Sequence, residues 1–167
     1  IGDEERRLMY IYKRQIPNFV NDVAEVVLAK LGITDHLNTN LVLNKPAFLF
    51  SFAGCGKQRL HFDFNASDMK QMNVEFFPFF CIVGLMDGTK IDVLMINNEV
   101  QLALEHGIKK HPEGVRESMS VEIGEIVVFR GDAAHGGSAY ENCNARMHLY
   151  FMSNLWKQMH GSALRTW

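Results

Sequence analysis

The sequence has no apolar run near the roughly 18–20 residues that a membrane-spanning helix needs. Its longest greasy stretch, Phe76 to Met86, is broken by Pro78 and Gly84, so no membrane insertion is expected. Cysteine is scarce. Cys55, Cys81 and Cys143 are odd in number and form no C-x-x-C pair, which argues against a disulfide framework or a zinc knuckle. It fits an intracellular, reducing compartment, cytoplasm or nucleus. Neither sign of charge is in excess: net charge is −2 and the pI about 6.4, so no global basic field draws the chain to nucleic acid. The local basic residues Lys109, Lys110, His111 and Arg116 read as a solvated loop. Internal repeats, low-complexity tracts and linkers are also lacking. The chain opens on Ile1 rather than Met, which points to a fragment or processed chain and leaves an upstream targeting segment open.

What is present is the material for one core. The chain has 167 residues, 47% hydrophobic and 22% charged, the balance of a single globular domain. Residues 1–40 read as a mainly helical N-terminal support. Val20, Val23, Val27, Leu28 and Leu31 recur at helical spacing, Pro17 suits a first turn, and Gly32 suits a C-cap. Residues 3–15 fit helix or strand. From about residue 41 the texture becomes β-rich: Ala47–Phe52, Arg59–Phe64, Phe79–Met86, Ile91–Ile96, Met119–Ile123, Ile126–Arg130 and Met147–Met152. Turn signals such as Asp87-Gly88 and Gly131-Asp132 separate them. Short strands at hairpin spacing predict an antiparallel barrel or sandwich over residues 41–153, followed by a tail at 154–167. Two longer connections, 65–78 and 97–118, are the expected substrate-shaping loops.

Chemistry concentrates in a few residues. On a strand, side chains two apart share a face. The segment Arg59-Leu60-His61-Phe62-Asp63-Phe64 therefore projects His61 and Asp63 together and sends Leu60, Phe62 and Phe64 to an apolar face. An imidazole and a carboxylate supply two ligands, and a third must come from elsewhere. Two histidines and one carboxylate on one face of an octahedron leave three open positions, the arrangement of non-haem Fe(II) oxygenases. His-x-Asp alone is a weak signal. It gains weight from His135, which stands before Gly136-Gly137, where small residues leave room beside a ring. Ten residues separate His135 from Arg146. Arg146 opens an alternating strand with Met147, Leu149 and Phe151 on one face and Arg146, His148 and Tyr150 on the other. A guanidinium can grip a carboxylate with two parallel hydrogen bonds and keeps its charge. Phe48, Phe50, Phe52, Phe62 and Phe64 are candidates for apolar pocket walls. Ala53-Gly54-Cys55-Gly56-Lys57 hints at a phosphate loop, but Ser51 and Gln58 stand where Gly and Ser or Thr belong.

With these residues in place, the sequence resembles the 2-oxoglutarate/Fe(II)-dependent oxygenase superfamily, whose pattern is H-x-D, a distant H, and R about ten residues later. Here the match is His61-x-Asp63, His135 and Arg146, over roughly residues 45–153. The resemblance implies a mostly β chain with an N-terminal helix or helices and a double-stranded β-helix (jelly-roll, cupin-like) core. It implies Fe(II) held by His61, Asp63 and His135, with 2-oxoglutarate anchored through its C5 carboxylate by Arg146. His148 falls where many relatives place a hydroxyl residue that helps hold that carboxylate. The implied reaction uses O2 and 2-oxoglutarate and releases succinate and CO2. Its product is a hydroxylated or oxidatively demethylated substrate, with ascorbate as reductant. The details around His61 and Gly131–Tyr150 resemble small prolyl hydroxylase and nucleic-acid demethylase relatives. A protein side chain, a nucleic acid and a small metabolite all suit as substrate. The alternatives are a non-catalytic metal-binding jelly-roll module or sensor, and a metal oxygenase that does not use 2-oxoglutarate. For Arg146 the competing role is a salt bridge with an acid such as Glu141.

Overall fold

Alternation decides the layers. The computed structural model describes residues 6–10, 18–31, 41–63, 78–94, 116–131 and 133–153. In chain order they form β1 (Arg6–Tyr10), α1 (Asn18–Lys30), β2 (Leu41–Ser51), β3 (Phe79–Gly84), β4 (Thr89–Leu94), β5 (Arg116–Val121), β6 (Ile126–Arg130), β7 (His135–Gly137) and β8 (Asn144–Ser153). A five-stranded sheet runs β1-β2-β8-β3-β6, and a three-stranded sheet runs β5-β4-β7. Every ladder is antiparallel. This is the architecture of a double-stranded β-helix, mostly β with one helix before its core.

Strand β8 feeds two cores, one from each face. Met147, Leu149 and Phe151 pack with Phe79, Cys81 and Val83 of β3 against Val20, Ala24, Val27 and Leu28 of α1. The other face sends Tyr150 and Met152 between the sheets, where Phe80, Ile82, Ile91, Val93 and Val121 meet them. A side chain of this size contributes about 1.5–3 kcal/mol when fully buried, so both clusters matter to folding. Arg146 and His148 share the inner face with Tyr150 by the two-residue period, and both are buried. The turn Asp87-Gly88 joins β3 to β4 with Gly88 at φ 72°, a backbone conformation glycine adopts without a Cβ clash. Among the described residues no helix is long and apolar enough to cross a membrane. The three cysteines are free, with Cys55 and Cys81 buried and Cys143 exposed.

Several sequence expectations are refined. Within the ambiguous segment 3–15, Arg6–Tyr10 is a strand, paired to the outer edge of β2. Leu31 is 45% exposed and follows the helix, its N–H bonded to the Val27 carbonyl at 3.0 Å. It therefore leaves the packed stripe. Arg59–Phe64 is not a regular strand: only His61 bridges to a neighbour, and Phe64 lies outside the described residues. The triplet His135–Gly137, outside the strands read from the sequence, is a short strand, and Arg116–Ser118 open β5 instead of ending a long loop. Apart from Pro78, the rest of the two long connections, Pro17, Gly32 and the tail lie outside the described residues.

The close approach at Gly84 generates a test. A Cβ there would meet the carbonyl oxygens of Val121 and Glu122, both backbone atoms that cannot swing aside. Gly84→Ala is expected to cost about 1–3 kcal/mol, the usual penalty of overpacking, read from urea unfolding. An unchanged midpoint would show that the two chain segments are not held together as described.

Candidate metal centre

Two segments distant in sequence meet as one hydrogen-bonded pair. His61 N–H donates to the His135 carbonyl at 2.8 Å, and His135 N–H donates to the His61 carbonyl at 3.0 Å. An antiparallel pair of this kind sends opposed side chains to the same face, so the two imidazoles stand with ring centroids 4.7 Å apart. β7 is itself pinned to β4, with His135 opposite Val93. Leu60 and Phe62 pack with Leu94 and Ala134 on the other side. That anchorage turns His61 and Asp63 toward each other, as the alternation of apolar and polar residues predicts.

The ligand atoms converge. Asp63 Oδ1 lies 3.6 Å from His61 Nε2, and Asp63 Oδ2 lies 3.4 Å from His135 Nε2. One ligand atom from each residue lies within 4.8 Å of the other two. His61 Nδ1 is 3.0 Å from the Arg59 carbonyl, and His135 Nδ1 is 3.1 Å from the Ala133 carbonyl. A carbonyl can only accept, so each Nδ1 carries the proton and each Nε2 presents a lone pair inward. Burial works to raise the Asp63 carboxyl pKa. The three imidazoles around it, His135 first and then His61 and His148, outweigh it and hold the carboxyl below the usual carboxylate range. Asp63 Oδ2 is buried and has no hydrogen-bond partner among the described residues. Two lone pairs and a buried, unsatisfied carboxylate oxygen facing one another suit a cation. Imidazole with carboxylate suits a first-row transition metal. The donor set fits the metal that the sequence pattern implies, with His61, Asp63 and His135 as its holders.

The ring of His135, 2% exposed, packs on Phe80 at 4.4 Å between centroids and faces Phe129 at 6.5 Å. These aromatics, with Tyr150, wall the site. Four of the five earlier candidates do not, and Phe64 lies outside the described residues: Phe48 packs on the helix-side core, Phe50 and Phe52 form an exposed edge-to-face pair, and Phe62 backs the His61 segment. On the face of a twisted, half-open sheet, aromatic content alone does not reveal which side is enclosed.

Arg146 is 1% exposed and stands opposite Leu49 and Gly84. Its Nη1 donates to Ser51 Oγ at 3.2 Å and to Tyr140 Oη at 3.4 Å, and the guanidinium lies over the Tyr140 ring. Tyr140 Oη donates to the Lys90 carbonyl at 2.5 Å and accepts from Lys90 N–H at 2.9 Å, which fixes it. Glu141, the acid considered as a salt-bridge partner, is exposed. Sequence reasoning missed Ser51 and Tyr140. Ser51 carried a signal, being the polar member of the inward series Ala47, Leu49, Ser51; Tyr140 carried none.

His148 occupies the inner face between Tyr150 and Arg146. Its Nδ1 lies 3.4 Å from Tyr150 Oη, and its Nε2 is buried without a hydrogen-bond partner among the described residues. Burial and then the Arg146 charge push its pKa down to about 3, against the pull of Asp63. The ring therefore feels both the cation and the metal-side carboxylate, and it is neutral near pH 7.

For the metal-free protein this fixes a sign. The unfolded chain takes up a proton on His148 as pH falls through about 6.5, whereas the folded chain refuses it until about 3. Stability from this group is complete above pH 6.5 and is lost progressively toward pH 3. We expect the His148 ring resonances of the folded protein to stay unshifted from pH 8 to 5, and His148→Gln to flatten the acid side of the stability profile. A ring that titrates near pH 6.5 would contradict the burial described.

No protein-family model and no curated protein matches the chain. Solved structures do match. HygX from Streptomyces hygroscopicus, with nickel and 2-oxoglutarate bound, superposes with a TM-score of 0.63 at 13% identity, covering 90% of this chain and 70% of its own. A Pseudomonas putida prolyl-4-hydroxylase gives 0.57 at 15% identity over 89% and 72%. An oxidoreductase of the 2OG-Fe(II) oxygenase family from Burkholderia pseudomallei gives 0.51 at 11% over 88% and 67%. At these identities the shared property is the fold. The chain has the fold of solved 2-oxoglutarate/Fe(II) oxygenases, and within it His61, Asp63 and His135 form the His-x-Asp…His cluster.

Proposed function

We propose that this protein is an Fe(II)- and 2-oxoglutarate-dependent oxygenase that hydroxylates, or oxidatively demethylates, its substrate. The observation that carries the reading is the buried Asp63 Oδ2, without a hydrogen-bond partner among the described residues, facing two imidazole nitrogens, with a buried guanidinium on the same inner surface. When bound, the metal and the keto acid supply the oxidising power from O2, with release of succinate and CO2. The chain's own residues hold, orient and exclude. His61, Asp63 and His135 offer three ligands on one side and leave the other side open. Arg146 offers a fixed positive charge, with the Ser51 and Tyr140 hydroxyls beside it, for the far carboxylate of 2-oxoglutarate. His148 offers an uncharged ring nitrogen to the same molecule. Phe80, Phe129 and Tyr150 keep water from the space between, which strengthens each of these contacts. Ascorbate suits this chemistry as a reductant of adventitiously oxidised iron.

Support for the co-substrate comes from HygX, which shares the fold and was solved with nickel and 2-oxoglutarate bound. The substrate class stays within a protein side chain, a nucleic acid or a small metabolite. Three free thiols suit a reducing intracellular compartment.

Purified protein supplied with Fe(II), ascorbate and O2 is expected to convert 2-oxoglutarate to succinate slowly even without its substrate. Asp63→Ala should abolish tight metal binding; full metal occupancy in that variant would remove the triad from the scheme. Arg146→Ala should weaken 2-oxoglutarate binding to the Mn(II)-loaded protein by about 2–5 kcal/mol, the typical loss on truncating a buried charge pair. Calorimetry reads this directly. Unchanged affinity in that variant would remove Arg146 from the scheme, whereas no binding of 2-oxoglutarate to the unaltered Mn(II)-loaded protein would point to an oxygenase or sensor that does not use it.

A further inference from the structure

The segment that carries His61 has no regular strand of its own, yet it must hold a ligand to within tenths of an ångström. Its bonds to β7 explain how. His61 is paired with His135, and the next link is Gln58 N–H to the Gly137 carbonyl at 2.8 Å. Between these links two residues, Arg59 and Leu60, stand opposite one, Gly136. That is a β-bulge, a device that re-aims a side chain by breaking the ladder. Its local signs are all present. Gly137 N–H donates to the Gln58 side chain, with Oε1 at 3.0 Å. The displaced Arg59 carbonyl turns to His61 Nδ1 and sets that ring's tautomer. Gly136 suits the close approach, because a Cβ there would meet the Arg59 and Gln58 carbonyls at 3.0 and 3.1 Å, tighter than an ordinary contact.

The Gln58 carbonyl is also expelled from the ladder, and it accepts from Arg116 Nη2 at 3.0 Å. Arg116 Nε in turn donates to Asp92 Oδ2 at 2.6 Å. Asp92 is wholly buried in the middle of β4, in register with Gly136 on one side and Ser118 on the other. Its second oxygen accepts from Ser138 Oγ, and Lys57 Nζ lies 3.6 Å away. Burial works to raise its pKa, but the bonds from Ser138, Arg116 and Ser118 and the Arg116 charge win and keep it ionised. An acid at this place in the run Ile91-Asp92-Val93-Leu94 is costly unless paired. Here the pairing also reaches the backbone that presents a metal ligand.

We propose that Arg116, held by the buried carboxylate of Asp92, is a positioning residue for His61. It acts by fixing the Gln58 carbonyl that the bulge displaces. The inference rests on the reading of His61 as a metal ligand. Arg116→Lys keeps a positive charge against Asp92, but a single ammonium lacks the planar fork that serves Asp92 and Gln58 together. The paired substitution D92N/R116Q removes both charges, so no uncompensated ion remains if the single change unfolds the sheet.

The test loads full-length protein with Co(II), reading its affinity and its d–d absorption spectrum beside thermal unfolding of the metal-free form. Both variants are expected to unfold cooperatively without metal, to bind Co(II) about 10–100-fold more weakly, as losses of ligand-orienting contacts do, and to shift the d–d bands. Wild-type affinity and spectrum in a folded variant would overturn the proposal. His61→Ala is the control that separates the two levels. If it leaves Co(II) binding and spectrum untouched, His61 is no ligand and the inference falls with the reading beneath it. If it abolishes binding while the Arg116 variants are unchanged, only the positioning role falls.

Discussion

The reciprocal backbone bonds between His61 and His135 are the constraint on which the site depends. They join a segment without strand structure to a strand three residues long. The His61 segment has no ladder of its own, and β7 is held on its other side by only three pairs to β4. Once they are paired, the geometry of an antiparallel couple brings both rings to one face, and Asp63, two residues on, completes the set. The carbonyls of Arg59 and Ala133 then settle which nitrogen of each ring is bare. A cluster able to hold a metal is thus prepared by main-chain bonds.

The barrel interior grades from one chemistry to another along a single strand. β8 alternates so strictly that one face is aliphatic and aromatic, sealed by α1, while the other presents Tyr150, His148 and Arg146 in succession. Burying a guanidinium and an imidazole side by side opposes folding, and the structure offsets it with hydroxyls from Ser51, Tyr140 and Tyr150. Polar groups placed at such expense inside a small core are where a ligand is to be sought.

Much of this was legible in the residues. The alternation of Met147–Met152 marks β8 and its two faces unaided, and the helical stripe of Val20, Val27 and Leu28 marks α1. The pair His61 and Asp63 share a face because Leu60 and Phe62 demand the other. What stayed hidden depends on contacts between distant segments. His135–Gly137 contains two glycines, which have little strand propensity, so its strand exists only through its neighbours. Ser51 and Tyr140 meet Arg146 across the barrel, and no local spacing announces that. Arg116 sat among loop-like basic residues and gave no hint that it caps a buried acid. Asp92 did carry a sign, a lone carboxylate inside an apolar run, which calls for a partner.

The placement of α1 has a mechanical consequence. It braces the five-stranded sheet through the core shared with β3 and β8. Among the described residues nothing comparable backs β5-β4-β7, whose outer side carries the Asp92 cluster instead. Local opening begins where apolar contacts are fewest, and among the described residues the wall that bears His135 has the smaller apolar backing. An ion bound by both histidines would stitch that wall to the His61 segment, and by mass action its occupancy would set how often the barrel breathes. Metal occupancy and the molecule's rigidity would then be a single variable.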